Sequence, residues 1–183
     1  MKILYEDVIS TYSKIKPFLK ITETSYSEQI SKKLNCNLFI KFENRQNTGS
    51  FKIRGALSKL LSLSNKEKLK GVIGMSAGNH AQGLAYSGNK LGINTNIVMP
   101  LGTPFTKIRR TKNFGGNVFL KGKDLVESKN YVNELINKFG YIEVHPYNDT
   151  EVIKGQGTIY LEMLNQIPEI DYLLVPVGGG GLL

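Results

Sequence analysis

A lysine in apolar surroundings is the feature of this sequence with the clearest chemical potential. Lys52 lies between Phe51 and Ile53, with Gly49 and Gly55 close by. Apolar neighbours remove water from an amine, which disfavours the ammonium form and lowers the pKa. A partly neutral amine attacks aldehydes, so this setting favours a lysine that forms a Schiff base. A solvated surface lysine is the alternative, and it is the stronger interpretation of this segment taken alone.

A second motif, Ser-Ala-Gly-Asn-His-Ala-Gln-Gly, occupies residues 76–83 and follows the short apolar run 71–75. Small residues between a strand and a helix leave backbone N–H groups free at the helix N-terminus. Together with the helix dipole, these groups bind carboxylates or phosphates. Asn79 adds a donor and an acceptor with little bulk. An ordinary N-cap followed by a glycine-containing turn is the alternative.

The third motif is a run of four glycines, Gly178 to Gly181, which follows the apolar segment 172–177. Consecutive glycines can turn several N–H groups toward one point and so form a nest for a phosphate. Ligands of open parallel sheets bind beyond the carboxyl ends of the strands. A flexible tail is the alternative, but a tail needs no apolar strand before it.

The three motifs together resemble those of the fold-type II pyridoxal-phosphate enzymes, the tryptophan synthase β-subunit superfamily, and most closely its short catabolic threonine dehydratase branch. The resemblance covers nearly the whole chain, and it is carried by residues 41–44, 48–56, 76–83, 155–158 and 178–182. It implies an α/β fold with three layers, in which helices cover both faces of parallel sheets. Members of the superfamily continue past the glycine run, so we expect the C-terminal part of the fold to be missing here.

The resemblance also implies roles for individual residues. Lys52 would form a Schiff base with pyridoxal 5'-phosphate, Phe51 would pack near this cofactor, and Asn79 would hydrogen-bond its ring hydroxyl. Its phosphate would bind at the glycine run, and the substrate carboxylate at the second motif. The residues implied for the phosphate are Gly178, Gly179, Gly180, Gly181 and Leu182, and those for the carboxylate are Ser76, Gly78, Asn79 and His80.

The activity implied is dehydration and deamination of L-threonine, and of L-serine, to 2-oxobutanoate or pyruvate and ammonia. Serine racemases are similar but carry a serine just before the Gly-Asn-His of the second motif, where this chain has Ala77. A side chain without an exchangeable proton favours elimination over racemisation. The other hypotheses are an inactive fragment of such an enzyme, a racemase-like enzyme, and an unrelated nucleotide-binding α/β protein.

Regulation and assembly are expected from the same resemblance. Short dehydratases of this kind are commonly activated by AMP, and Thr48 and Gln82 match positions expected to line the nucleotide site. A small amino acid is the expected substrate, and a homodimer or homotetramer is the expected assembly.

Composition excludes several other classes of protein. The net charge of +9 comes from cations scattered along 183 residues without interleaved aromatic side chains, so we expect no nucleic-acid partner. No apolar run is long enough to span a membrane. Cys36 is the only cysteine, and no Cys/His cluster offers a metal site. With no disulfide and no signal peptide, a cytoplasmic protein is expected.

Hydrophobic periodicity predicts alternating strands and helices, which is typical of βαβ units and a parallel sheet. The resemblance divides the chain into the first part of a large domain over residues 1–71, a small domain over 72–146, and a return to the large domain over 147–183. The predicted helices cover 3–9 with an exit over 12–18, then 25–34, 51–61, 82–91, 104–114, 125–139 and 152–166. The predicted strands cover 37–42, 72–75, 95–99, 117–120, 141–144 and 172–177.

Overall fold

The structure, a computed structural model, describes residues 2–167 and 169–183. The helices of these residues are α1 Tyr5–Ile15, α2 Glu28–Leu34, α3 Lys52–Ser62, α4 Asn65–Lys70, α5 Asn79–Leu91, α6 Phe105–Asn113, α7 Leu125–Phe139 and α8 Thr150–Gln166. The strands are β1 Thr24–Tyr26, β2 Phe39–Lys41, β3 Val72–Met75, β4 Thr95–Met99, β5 Asn117–Leu120 and β6 Ile142–Glu143. Short 3₁₀ turns cover Lys16–Phe18 and Glu43–Arg45. No helix in these ranges has the length and apolar character needed to cross a membrane.

A four-stranded parallel sheet in the order β5-β4-β3-β6 forms the centre of the molecule. Successive residues of a strand point to opposite faces, so each strand supplies two layers of the core. Val72 and Ile97 pack on one face with Leu84 of α5. Ile73 packs on the other face with Val132 of α7. Helices therefore cover both faces, as the predicted three-layer α/β class requires.

A second, smaller sheet pairs β1 with β2, and this pairing is antiparallel. Thr24 lies opposite Lys41, and the rings of Tyr26 and Phe39 meet edge to face with centroids 5.5 Å apart. The sequence predicted a helix over 25–34, but β1 takes its first residues and α2 begins only at Glu28. Cross-strand pairing of aromatic side chains outweighs the helical spacing of this segment.

Two glycines allow α3 and α8 to pack in close contact. A Cβ added at Gly155 of α8 would lie 2.5 Å from the carbonyl oxygen of Arg54 and 2.7 Å from Cα of Gly55. A Cβ added at Gly55 would lie 2.4 Å from Nε2 of Gln156, whose Oε1 accepts a hydrogen bond from the Gly55 N–H at 3.2 Å. The backbones of the two helices therefore approach as closely as glycine permits.

A network of buried charges lies beside this helix contact. Arg54 is fully buried and donates to both carboxylate oxygens of Glu43 at 2.8 and 2.9 Å. It also donates to both oxygens of Glu162 at 2.8 and 2.9 Å and to Oγ1 of Thr158 at 3.3 Å. Lys41 completes the network through a 2.7 Å bond from its Nζ to Oε2 of Glu162. The network joins β2, the turn after it, α3 and α8.

Ionisation of this network is favoured by its own hydrogen bonds. Burial by itself would lower the pKa of Arg54, but the hydrogen bonds that it donates to Glu43 and Glu162 raise it above its ordinary value. Burial would likewise raise the pKa of Glu162, but hydrogen bonds and charge from Arg54 and Lys41 lower it. Both partners therefore stay charged, because each buried charge has an opposite charge in direct contact.

The predicted elements between residues 72 and 139 agree closely with the structure. Strands β3, β4 and β5 and helix α7 have the predicted bounds. Helix α5 begins at Asn79 rather than Gln82, so the second motif contains the first turn of this helix. The N-terminal helix forms one element, Tyr5–Ile15. The sequence analysis missed α4, although Ser64 and Glu67 form a capping box at its start.

The predicted strand over 172–177 is wrong. This segment is irregular, and it forms no strand pair with any described residue. Tyr172, Leu174 and Val177 are exposed. An apolar run becomes a strand only when a neighbouring strand supplies hydrogen-bond partners, and the described part of the chain offers none at this position.

The division at residues 72 and 146 stays a prediction. All four strands of the parallel sheet fall within 72–146. The hydrophobic cluster on one face of that sheet nevertheless includes residues from outside the range 72–146, namely Leu60 of α3 and Val152 of α8.

We expect Gly155→Ala to destabilise the protein by about 1–3 kcal/mol, because both nearby backbone atoms belong to α3 and cannot move aside cheaply. Gly157→Ala is the matched control in the same helix, since its added Cβ would meet only the Val8 side chain at 3.4 Å. Alanine is the better helix former, so this control should gain about 0.5–1 kcal/mol. Urea unfolding measures both, and equal effects would contradict the packing argument.

Candidate active site

Lys52 is the first residue of α3, and its amine lies in a half-buried position. Its Nζ donates a hydrogen bond to the carbonyl oxygen of Pro146 at 2.7 Å. The same nitrogen lies 5.2 Å from the centroid of the Phe51 ring. Burial lowers the pKa of Lys52. The direction of this shift is the one that a nucleophilic amine requires.

Neighbouring lysines are held differently. Lys41 has three acceptors, namely Glu162 Oε2 and the Thr22 carbonyl at 2.7 Å each and Gln166 Oε1 at 3.1 Å. Lys59 forms an ion pair with Asp149, with 2.6 Å between Nζ and Oδ2. Both amines are engaged by carboxylates, and such an ion pair must break before its nitrogen can reach a substrate. Lys52 is therefore the best candidate nucleophile of the three.

His80, in the first turn of α5, is buried and neutral. Its Nε2 lies 2.9 Å from the carbonyl oxygen of Val144. A carbonyl only accepts, so Nε2 carries the hydrogen, and Nδ1 is left buried with no partner among the described residues. The pKa of His80 is lowered to about 4, mainly by burial. The hydrogen bond to Val144 raises this pKa, and the charges of Lys52 and His145 lower it.

The loop before α5 presents its backbone to open space. Ser76 Oγ accepts a hydrogen bond from the Gly78 N–H at 3.1 Å. No heavy atom lies within 4 Å of the position that a Cβ at Gly78 would take. Asn79 follows as the exposed first residue of α5. The first N–H groups of a helix lack partners inside the helix, so this end of α5 can bind an anion.

Helix α5 also lies directly against Lys52. A Cβ added at Gly83 would lie 3.0 Å from the carbonyl carbon of Lys52 and 3.0 Å from the amide nitrogen of Ile53. The glycine at position 83 thus permits the second turn of α5 to touch the start of α3. The backbone of Lys52 and the second motif, which begins 24 residues later in the sequence, are therefore in contact.

The glycine run is in contact with Tyr147. A Cβ at Gly179 would lie 2.4 Å from the Tyr147 ring, and one at Gly181 would lie 2.7 Å from the Tyr147 carbonyl oxygen. Gly178 and Gly180 face open space, and Gly180 has φ +81°, a conformation that favours glycine. Gly181 is buried, and Leu182 is partly buried.

The segment 144–147 brings the three motifs together, and the sequence analysis did not assign it to the site. Val144 accepts from His80, Pro146 accepts from Lys52, and Tyr147 contacts the glycine run. A usable signal existed, because this segment follows β6, and the carboxyl ends of parallel strands are where ligands bind. The two carbonyl acceptors themselves could not be predicted from the sequence, because every residue has a backbone carbonyl.

The predicted effector residues also lie near these helices. Thr48 and Gln82 are buried, and neither Thr48 Oγ1 nor Gln82 Oε1 has a hydrogen-bond partner in the described structure. The Arg110 guanidinium of α6 donates from Nη2 to the Thr48 carbonyl at 3.1 Å. Each of these two buried oxygens has unused hydrogen-bonding capacity, and a guanidinium lies beside Thr48.

The fold and the site define an α/β protein with a desolvated lysine at the start of one helix and two backbone loops suited to anions. The family model described as "Pyridoxal-phosphate dependent enzyme" matches residues 15–183. The chain belongs to this family. The hypothesis of an unrelated nucleotide-binding α/β protein is therefore wrong.

Similarity to individual proteins narrows the class. The L-threonine dehydratase catabolic TdcB of Staphylococcus aureus strain N315 is 47% identical over 178 residues, which cover 97% of this chain and 51% of that relative. The chain thus spans about half the length of the curated relatives it matches.

Solved structures agree on the fold. Maize serine racemase superposes with a TM-score of 0.94 at 34% identity, over 97% of this chain and 54% of that one. The processed form of threonine deaminase isoform 2 from Solanum lycopersicum superposes with a TM-score of 0.90 at 38% identity, over 100% of this chain and 52% of that one.

The residues present fit pyridoxal phosphate. An aldehyde needs an amine of lowered pKa, which Lys52 supplies. A phosphate needs accessible backbone N–H groups, and Gly178 and Gly180 have space around them. The substrate carboxylate needs the same kind of donors, which the loop at Gly78 and the start of α5 can supply.

We expect the neutral state of His80 to make the protein sensitive to acid. Its folded pKa of about 4 lies below the ordinary 6.5, so the unfolded state binds more protons between these values. The stabilisation is complete above about pH 6.5 and is lost as the pH falls toward 4, by roughly 3 kcal/mol. His80→Gln keeps a donor for Val144 and removes the titration, so its stability should fall less over this range.

Urea unfolding at several pH values between 4 and 7.5 measures the difference. The partly exposed His145 is the matched control, because burial lowers its pKa without enclosing it. His145→Gln should follow the wild-type pH dependence more closely than His80→Gln does. Parallel curves for wild type and His80→Gln would show that His80 does not titrate as its burial requires.

Proposed function

We propose that the protein carrying this sequence binds pyridoxal phosphate at Lys52 and catalyses the dehydration and deamination of L-threonine. The products are 2-oxobutanoate and ammonia, and L-serine would give pyruvate and ammonia. The single observation that carries the proposal is the Lys52 amine, which is half-buried and donates to the neutral carbonyl of Pro146 at 2.7 Å, while the Lys52 backbone lies against α5.

Each part of the site has a task in this reaction. When bound, the cofactor supplies an electron sink that stabilises negative charge at the substrate α-carbon. Lys52 would hold the cofactor and, once displaced by the substrate, its neutral amine would remove the α-proton. Phe51 would pack near the cofactor and Asn79 would hydrogen-bond it. The glycine run 178–181 with Leu182 would bind its phosphate.

The substrate carboxylate would bind at the start of α5. We assign this role to Ser76, Gly78, Asn79 and His80. The N–H groups of Asn79 and His80 would bind the anion, because the Ser76 N–H donates to the Val98 carbonyl at 3.2 Å and the Gly78 N–H to Ser76 Oγ at 3.1 Å. A carboxylate held there fixes the substrate relative to Lys52, because α5 touches the Lys52 backbone. His80 would act through its backbone, since its side chain is bonded to Val144.

The choice of threonine rests on the relatives. Those at 46–47% identity are named L-threonine dehydratase, and structures at 38% identity are named threonine deaminase. Because this chain corresponds to about half of each relative, substrate and activity are carried over as part of this proposal.

Serine racemisation is the second candidate, favoured by the TM-score of 0.94 to maize serine racemase. Racemisation needs a proton donor on the face of the α-carbon opposite Lys52. Ala77 stands directly before Gly78 in the loop that would hold the carboxylate, and its methyl group has no proton to give. This residue favours elimination.

The test measures three products from one preparation. The purified protein is incubated with pyridoxal phosphate and L-threonine or L-serine, and oxo acid, ammonia and D-serine are quantified. We expect equal amounts of oxo acid and ammonia, and little D-serine. Lys52→Ala should abolish turnover. Lys59→Ala is the control, because Lys59 lies on the same helix as Lys52 but is paired with Asp149, and this variant should retain turnover.

Each result has a definite meaning. D-serine as the main product from L-serine would replace the lyase by the racemase. Turnover that survives Lys52→Ala would overturn the assignment of Lys52. If there is no turnover and borohydride reduction attaches no pyridoxal phosphate to Lys52, the protein is the inactive fragment named among the hypotheses.

We further propose that AMP binds near Thr48 and Gln82 and raises the affinity for threonine. The support is the pair of unpartnered buried oxygens and the guanidinium of Arg110 beside Thr48. AMP should lower KM for threonine in the wild type, and Thr48→Val, which keeps the shape but removes the hydroxyl, should weaken this response. A KM that is the same with and without AMP would remove the effector proposal.

The predicted homodimer or homotetramer stays a prediction. Exposed apolar side chains at Tyr172, Leu174 and Val177 offer surface that association would bury. Sedimentation equilibrium of the wild-type protein measures the assembly directly, and a monomer over the accessible concentration range would contradict it.

A further inference from the structure

Several residues of the motifs that carry the family resemblance do not face the site. Lys41, Glu43, Arg54 and Thr158 all belong to those motifs, yet their side chains bond within the buried charge network. The proposed chemistry uses none of them. Because this network binds α3 through Arg54, we expect it to affect the position of Lys52, the first residue of this helix.

Lys52 and Arg54 point to opposite sides of α3. Two residues along an α-helix turn the side chain by about 200°. Lys52 accordingly reaches Pro146 in the segment 144–147, while Arg54 reaches Glu43 and Glu162 on the inner side. Any rotation of the first turn of α3 that moved the Lys52 amine would also have to move the Arg54 guanidinium.

The guanidinium resists such a rotation because all of its donors are engaged. Nε and Nη2 bind the two oxygens of Glu43, Nη1 and Nη2 bind the two oxygens of Glu162, and Nη1 also binds Thr158. These five bonds use every N–H of the arginine. Two bidentate pairs fix both the position and the plane of the group.

The acceptors are themselves fixed. Thr22 donates from Oγ1 to Glu43 Oε1 at 2.6 Å, and Lys41 donates to Glu162 Oε2 at 2.7 Å. The network holds two cations and two anions, so it is balanced in charge. Its carboxylates belong to the turn after β2 and to α8, and they hold α3 from two directions.

We propose that Arg54, held by Glu43 and Glu162, is a positioning residue that locks the first turn of α3 so that the Lys52 amine faces Pro146 and the site. The use of this position in catalysis rests on the proposed function. A lysine at position 54 would keep the charge but lose the planar fork, and could not satisfy both carboxylates in the same geometry.

The experiment measures the Lys52 amine itself. Trace acetylation of the protein without cofactor, at a series of pH values, gives the pKa and the reactivity of each lysine by peptide mapping. The exposed Lys66 serves as the internal reference. His80 and His145 are the titratable groups whose pKa values the charge of Lys52 lowers, and they are unchanged in every variant.

In Arg54→Lys we expect the pKa of Lys52 to rise toward about 10.4, the value of an exposed lysine, because the amine leaves its desolvated position. Pyridoxal phosphate trapped on Lys52 by borohydride should fall by about tenfold or more. Arg45→Lys is the matched control, since Arg45 forms an exposed pair with Glu23 at 2.9 Å. It should change neither quantity.

A merely stabilising role gives a different result. All measurements are made far below the unfolding midpoint of each variant, where loss of stability alone leaves the folded fraction near one. A folded Arg54→Lys variant with wild-type Lys52 pKa and trapping would overturn the proposal. If that variant does not fold, Glu43→Gln gives the decision by the same criteria, because Glu43 lies at the more accessible edge of the network.

The two proposals fail separately. Wild-type protein that traps no cofactor on Lys52 contradicts the proposed function, while the acetylation series still tests the position of the amine. Wild-type trapping with no change in either variant contradicts only the positioning role of Arg54.

Discussion

The burial of Arg54 is the constraint on which the rest of the structure depends. A guanidinium with no access to water is tolerated only when carboxylates meet it, so Glu43 and Glu162 must lie where the network has them. That requirement fixes the turn after β2 and the middle of α8 relative to α3. Close packing of Gly55 against Gly155 then sets the distance between the two helices. Replacing one partner would leave a buried charge unpaired, which is among the costliest changes a fold can undergo.

Apart from the charge network and the contact between α3 and α8, the site depends on main-chain atoms. Segment 144–147 supplies one carbonyl to His80 and another to Lys52, and its tyrosine contacts the glycine run. Neutral acceptors suit both side chains, because a carboxylate at either place would favour the protonated form of the amine or the imidazole. The Lys52 amine thus donates to a peptide carbonyl, whereas Lys41 is paired with the carboxylate of Glu162.

Charged and neutral regions thus divide the two sides of α3. On its inner side, full ionisation and saturated hydrogen bonds give a fixed geometry. On the side of the site, burial lowers the pKa of Lys52 and of His80, and Nδ1 of His80 retains unused hydrogen-bonding capacity. Unused capacity is costly for stability and is expected where a ligand binds.

Sequence by itself determined the local elements and the chemistry of the motifs. Strands β3, β4 and β5 and helix α7 follow from hydrophobic periodicity, since each buries a regular apolar face. Residue type and spacing, together with the family resemblance, predicted Lys52, the loop before α5 and the glycine run as parts of a site, and that assignment stays a prediction. Only the tertiary structure decided that β1 pairs with β2 in place of a longer helix, that residues 172–177 form no strand, and that Arg54 lies inside a double carboxylate clamp. It also decided that two carbonyls of segment 144–147 meet Lys52 and His80. The physical reason is that strand pairing, ion pairing and carbonyl acceptors depend on partners distant in sequence, and a carbonyl is identical in every residue.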